Sequence, residues 1–163
     1  MTSTPPTNPL VSAMLTDLYQ ITMSYAHWLN KRHEDRAVFE LFFRKNPFGG
    51  EYTIFAGLDE CLKHLSTFGF QPDDIDFLKG LPSLQHCDPG FFEWLGQLDT
   101  TGVTVYAMKD GTMCFPREPL MIIEAPLAVG QLLGESCCWG RGFSYWKSTF
   151  YLGVSLHFDI ISG

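Results

Sequence analysis

The sequence predicts one domain of interleaved helices and strands, and three features carry that expectation. From Ser12 to Leu29, apolar residues fall at Leu15, Leu18, Thr22 (weakly), Tyr25 and Leu29, close to helical spacing. From Ala37 to Arg44 the chain alternates instead, with Phe39, Leu41 and Phe43 on one face and Val38 and Phe42 on the other. Further on, proline–carboxylate pairs and a glycine turn punctuate the chain at short intervals.

Size and composition bound what such a domain does. The 163 residues are 45% hydrophobic and 18% charged, a globular composition. A chain of this length buries roughly 68–70% of its unfolded surface. A net charge of −7 argues against a nucleic-acid backbone as partner, although a single basic pocket for a small phosphorylated ligand is compatible with it. The start, Met1 to Pro9, is polar and proline-rich and lacks the basic and apolar regions of a secretory signal. No run of roughly 18 apolar residues occurs, so no membrane span is expected. Five cysteines, Cys61, Cys87, Cys114, Cys137 and Cys138, form no C-x-x-C pair and suit a reducing cytoplasm.

Taken in order, residues 1–10 read as a flexible leader and Ser12–Leu29 as an amphipathic helix. The polar run Asn30–Arg36 reads as a solvated turn. The strand Ala37–Arg44, apolar on both faces, is expected to lie inside a sheet or against another subunit. Asn46-Pro47-Phe48-Gly49-Gly50 turns the chain, and Tyr52–Phe55 is a second short strand. A helix follows from Leu58 to Phe68, with Leu58, Leu62 and Leu65 on one side. Gln71-Pro72-Asp73-Asp74 opens a short helix through Leu78, and its carboxylates, with Asp76, read as helix-start charges. Asp88-Pro89 opens another, burying Phe91, Phe92, Leu95 and Leu98. Val103–Met108 and Met113–Phe115 are expected to pair as a hairpin through Asp110-Gly111. Leu120–Glu124 is a strand, and Ala125-Pro126-Leu127 starts a helix through Leu133. From residue 134 to 163 the chain turns aromatic and glycine-punctuated; only Phe150–Phe158 offers a weak strand pattern.

Little here reads as catalytic machinery. The five histidines form no H-x-x-x-H arrangement, and no phosphate-binding glycine loop is present, so no metal site and no catalytic residue is expected. Tyr19 and Arg44 remain. Spacing alone favours a core or interface role for the tyrosine and a solvent-exposed strand end for the arginine. The alternative is a ring that stacks on a flat heteroaromatic and a forked cation that holds phosphate.

Met14-Leu15-Thr16-Asp17-Leu18-Tyr19-Gln20-Ile21-Thr22-Met23 and the block from Phe39 to Gly50 shift that balance. With Ala56-Gly57-Leu58, Pro119-Leu120 and Ala125-Pro126-Leu127 in the same order, they resemble the amino-terminal part of nicotinate phosphoribosyltransferases over roughly residues 12–133. The resemblance implies an α+β fold, a mixed domain that in the family precedes an α/β barrel. It implies a reaction joining nicotinate to phosphoribosyl pyrophosphate, coupled to ATP with Mg, in NAD biosynthesis. It implies dimers in which the amino-terminal domain of one subunit faces the barrel of the other. Tyr19 would stack on nicotinate, Arg44 would lie near phosphate, and Asp17 would cap or orient the helix. The similarity ends near Leu133, and the barrel is missing from the sequence. The chain is therefore expected to act as residues 11–133 of such a domain with a divergent tail, binding no cofactor of its own and without turnover alone. Alternatives are a non-catalytic module that dimerises with a full-length subunit, or an unstable fragment from splicing, read-through or a gene-model error.

Overall fold

The structure, a computed structural model, describes residues 5–139 and 156–161. Its element order is α1 (Leu18–Leu29), β1 (Arg36–Phe43), β2 (Thr53–Ile54), α2 (Leu58–Thr67), α3 (Pro72–Gly80), α4 (Pro89–Leu95), β3 (Thr104–Ala107), β4 (Met113–Cys114), β5 (Met121–Pro126), α5 (Leu127–Trp139) and β6 (Leu156–Ile161). A four-stranded antiparallel sheet runs β3-β5-β1-β6, and β2 pairs with β4 in a separate two-stranded sheet. This is the mixed helix-and-sheet domain expected, with no barrel among the described residues.

β1 is interior, as its two apolar faces predict. Ala37, Phe39, Leu41 and Phe43 are buried beneath the helices, while Val38, Glu40 and Phe42 are half-buried on the other side. Pairing fixes the register on both edges: Phe39 lies opposite Ile123 on β5 and opposite Ile160 on β6. α5 follows β5 without a loop and doubles back over the sheet. Its first free N–H groups are satisfied by the Asn30–Asp35 turn, where Asp35 O accepts from Leu127 N at 2.7 Å and His33 O from Ala128 N at 3.2 Å. The polar run thus caps a distant helix as well as meeting solvent.

The core gathers Ile21, Leu41, Leu65, Phe68, Leu78, Phe91, Leu95, Ile123, Leu132 and Leu133 between the sheet and the helices. A smaller cluster of Phe43, Phe55, Cys114 and Leu120 joins the end of β1 to the β2–β4 pair. α3 and α4 begin where their prolines and carboxylates predict. Asp74 Oδ2 accepts from Gln71 N at 2.8 Å, and Asp88 Oδ1 accepts from Gly90 N at 2.8 Å.

Four expectations change. α1 starts at Leu18, not near Ser12, because Asn8 and Ser12 divert the preceding backbone into local turns. Asn8 Oδ1 accepts from Leu10 N at 3.1 Å and Ser12 Oγ from Met14 N at 3.2 Å. The buried face of α1 is Gln20, Ile21 and Ser24, while Leu18 and Leu29 are exposed. Apolar residues lie all round this helix, so periodicity alone admits more than one stripe. On α2 the buried residues are Cys61, His64 and Leu65, with Leu62 exposed. Finally, Asp110-Gly111 does turn the chain, with Gly111 at φ 86°, but the flanking strands do not pair. β3 joins β5 and β4 joins β2, because Cys114 packs with Phe55 and Phe43 while Val105 packs on the main core.

Within the segment read as a leader, the Thr7 N–H donates to Glu60 Oε2 at 2.9 Å and its hydroxyl to Glu60 Oε1. Those bonds hold the Glu60 carboxyl down at about 2. Beside it on α2, His64 is 2% exposed, its Nε2 lacks a partner among the described residues, and burial lowers its pKa to about 4. A histidine kept neutral in the fold contributes stability above its unfolded value of 6.5, and that contribution is lost as pH falls towards 4. The loss is on the order of 3 kcal/mol. Glu60 adds a second decline, as its stabilising contribution is lost between pH 4.5 and 2. Urea midpoints should therefore drop between pH 7 and 4.5, and His64→Leu should flatten that slope.

In the expected tail, 134–139 continue α5 and 156–161 form β6. Residues 140–155, which include the start of the weak strand pattern at Phe150, lie outside the described residues.

Candidate functional site

The first turn of α1 carries Tyr19, and two glutamines fix its phenol. Gln20 Nε2 donates to the Tyr19 hydroxyl oxygen at 2.9 Å, and Gln131 Nε2 on α5 donates to Gln20 Oε1. Gln20 is buried where α1 packs on α5, so the relay anchors the phenol end of the ring to the helical layer. The ring itself is 48% exposed. A half-open ring with a tethered hydroxyl can stack on a flat ligand without first being ordered, which lowers the entropy cost of binding.

Asp17 stands at the N-cap position of α1 with extended backbone (φ −77°, ψ 146°), but its carboxylate makes no capping hydrogen bond. Its charge still favours the positive end of the helix. Arg44 is the first residue after β1 and is exposed. Among the described residues it has no ion-pair partner, unlike Arg36, which pairs with Glu124 across the sheet.

Topology sets where the two residues lie along the domain. Gln20 meets Gln131, while the turn after α1 meets the start of α5, so α1 and α5 run antiparallel. α5 in turn runs back along β5 and β1. The beginning of α1 and the end of β1 therefore both lie away from the 30–35 turn, with Gln20 held at the level of Gln131, next to the Gly130–Phe39 approach at mid-strand. Two clefts lie elsewhere. One of about 300 Å³ sits between α3 and α4, and one of about 210 Å³ lies under residues 5–13 beside His64; neither is lined by Tyr19 or Arg44.

Among the described residues, no three His, Cys, Asp or Glu side chains gather to hold a metal. No helix among them is long and apolar enough to cross a membrane.

Residues 14–135 match the nicotinate phosphoribosyltransferase (NAPRTase) N-terminal domain. The chain belongs to the nicotinate phosphoribosyltransferase family. It is 52% identical over 128 residues to nicotinate phosphoribosyltransferase 1 of Arabidopsis thaliana, a match covering 78% of this chain and 22% of that protein. It is 48% identical over 127 residues to the Dictyostelium discoideum nicotinate phosphoribosyltransferase, with 78% and 21% covered. The crystal structure of human nicotinic acid phosphoribosyltransferase superposes with a TM-score of 0.69 at 45% identity, over 76% of this chain and 25% of that one. The chain thus spans between a fifth and a quarter of the length of these family members. The family match includes Tyr19, Arg44, Gln20 and most of α5 through Gln131.

Sequence reading missed the glutamine relay. Gln20 and Gln131 are far apart in the chain and individually ordinary. The one local signal was a glutamine beside the tyrosine in an otherwise apolar segment.

Proposed function

We propose that this chain provides the amino-terminal substrate-recognition part of a nicotinate phosphoribosyltransferase acting in NAD biosynthesis. The observation that carries the reading is the half-exposed Tyr19 ring, tethered through Gln20 to α5, in a domain whose exposed Arg44 has no ion-pair partner among the described residues. Tyr19 stacks on the pyridine ring of nicotinate. Such a contact is worth on the order of 1 kcal/mol beyond burial. Arg44 presents two parallel N–H donors to a phosphoryl group of phosphoribosyl pyrophosphate. Asp17 orients α1 through its charge.

Nothing in this reading activates the C1–pyrophosphate bond. Displacement of pyrophosphate by the pyridine nitrogen needs stabilisation of charge on the leaving group, and the described residues offer cations but no group of three His, Cys, Asp or Glu side chains to hold a metal. The chain is a recognition element that completes its site with further polypeptide, from its own gene product or a partner subunit. The purified chain, given nicotinate, phosphoribosyl pyrophosphate, ATP and Mg, is expected to form no nicotinate mononucleotide. Formation of that product by this polypeptide alone would contradict the assignment.

A further inference from the structure

We propose that Arg117 joins Arg44 in a single phosphate clamp at the end of β1, an inference that rests on the reading of Arg44 given above. The backbone N–H of Arg117 donates to Phe43 O at 2.7 Å, and Leu120 N donates to Leu41 O at 2.8 Å. These bonds pin the 115–120 turn against the last residues of β1. Arg117 and Arg44 therefore start from adjacent peptide units although 43 and 117 are far apart in sequence. Both side chains are exposed, as is Lys45 beside them.

Arg117 adopts φ 68°, the left-handed region that favours glycine, so its side chain sits on a backbone that glycine would hold with less strain. Three of the cations that pair with no carboxylate among the described residues, Arg44, Lys45 and Arg117, come from the end of β1 and the turn pinned to it, whereas Lys31 and Lys109, which also pair with none, lie in other turns. The nearest carboxylate in sequence, Glu118, is engaged by Phe115 N at 3.2 Å. Three unpaired cations thus collect in one corner of a chain of net charge −7. Two guanidinium forks are suited to adjacent phosphoryl groups, which they grip through parallel N–H donors where a lysine offers only a point charge. The ligand is the pyrophosphate part of a phosphorylated sugar. A patch of three cations is too small to follow a nucleic-acid strand against that net charge.

The probe is inorganic pyrophosphate, titrated at low salt into the full chain and followed by calorimetry. Wild type should bind saturably. Arg44→Gln and Arg117→Gln should each weaken binding by about tenfold or more, the scale of a charged hydrogen bond lost. The double variant should lose less than the product of the two, because both arginines hold one ligand. Arg117→Gly should raise the melting temperature by relieving the backbone while losing pyrophosphate as Arg117→Gln does, a split that a structural role would not produce. Pyrophosphate binding by Arg117→Gln within about twofold of wild type, too small a change for a lost charged hydrogen bond, would overturn the clamp and leave the Arg44 assignment standing. Absence of saturable binding in wild type would overturn the clamp and the Arg44 assignment together. Nicotinate binding through Tyr19 is read separately and distinguishes that outcome from failure of the family-based reading.

Discussion

Phe91→Ala is expected to destabilise the domain by about 3–5 kcal/mol, the usual cost of emptying a fully buried aromatic site. Phe91 is 0% exposed and sits among four rings. Tyr25 lies at 5.0 Å, Phe92 at 5.6 Å, Trp94 at 5.7 Å and Trp28 at 6.0 Å between centroids. Tyr25 and Trp28 belong to α1 and the others to α4, so this cluster, together with the bond from Asp88 N to the Tyr25 hydroxyl at 3.1 Å, fastens α1 to the helical layer. Truncation leaves a cavity that neighbouring rings cannot fill without leaving their own contacts. Urea unfolding monitored by tryptophan fluorescence should show the loss as a shifted midpoint with an unchanged slope. Phe91→Leu, which keeps most of the volume, should cost clearly less. An alanine cost below about 1 kcal/mol would mean that the cluster is not closely packed.

Gly130→Ala should also destabilise, by about 1–3 kcal/mol, although alanine is the better helix former by about 1 kcal/mol. The reason is the approach of α5 to the sheet. A Cβ at Gly130 would fall within 3.0 Å of three ring carbons of Phe39, itself 1% exposed and flanked by β5 and β6. Neither ring nor backbone has room to yield. Gly80→Ala supplies the contrast, because nothing lies within 4 Å of a Cβ there and the change should be neutral or mildly stabilising. Equilibrium unfolding of both variants checks the opposite signs. Pairing Gly130→Ala with Phe39→Leu should recover part of the loss, since the two residues share one contact.

Local chemistry made much of this fold legible. The alternation along Ala37–Phe43 required an interior strand, and Pro72 and Pro89 with their adjacent carboxylates marked two helix starts to within a residue. What failed depended on distant partners. The face of α1 could not be read from its own residues, because Leu18, Ile21, Tyr25 and Leu29 offer several stripes and only packing on α5 selects Gln20, Ile21 and Ser24. The hairpin at Asp110-Gly111 was a sound reading of a turn, but Phe43 and Phe55 draw Cys114 away from β3.

The candidate site divides in the same way. Tyr19 and Arg44 stood out through the blocks shared with nicotinate phosphoribosyltransferases, whereas spacing alone left them ordinary. Arg117 and Gln131 gave no local signal. Each acquires meaning only when β1 brings the 115–120 turn beside Arg44, or when α5 brings an amide to Gln20.

The account rests on Tyr19 as the residue that recognises the aromatic ring, and nicotinate titration of the full chain tests it directly. Wild type should bind saturably in ligand-observed NMR, Tyr19→Ala should weaken binding by about fivefold, the loss of one stacking contact, and Tyr19→Phe, which keeps the ring but loses the Gln20 tether, should weaken it by less. Equal nicotinate binding by wild type and Tyr19→Ala, or none by wild type, would contradict it.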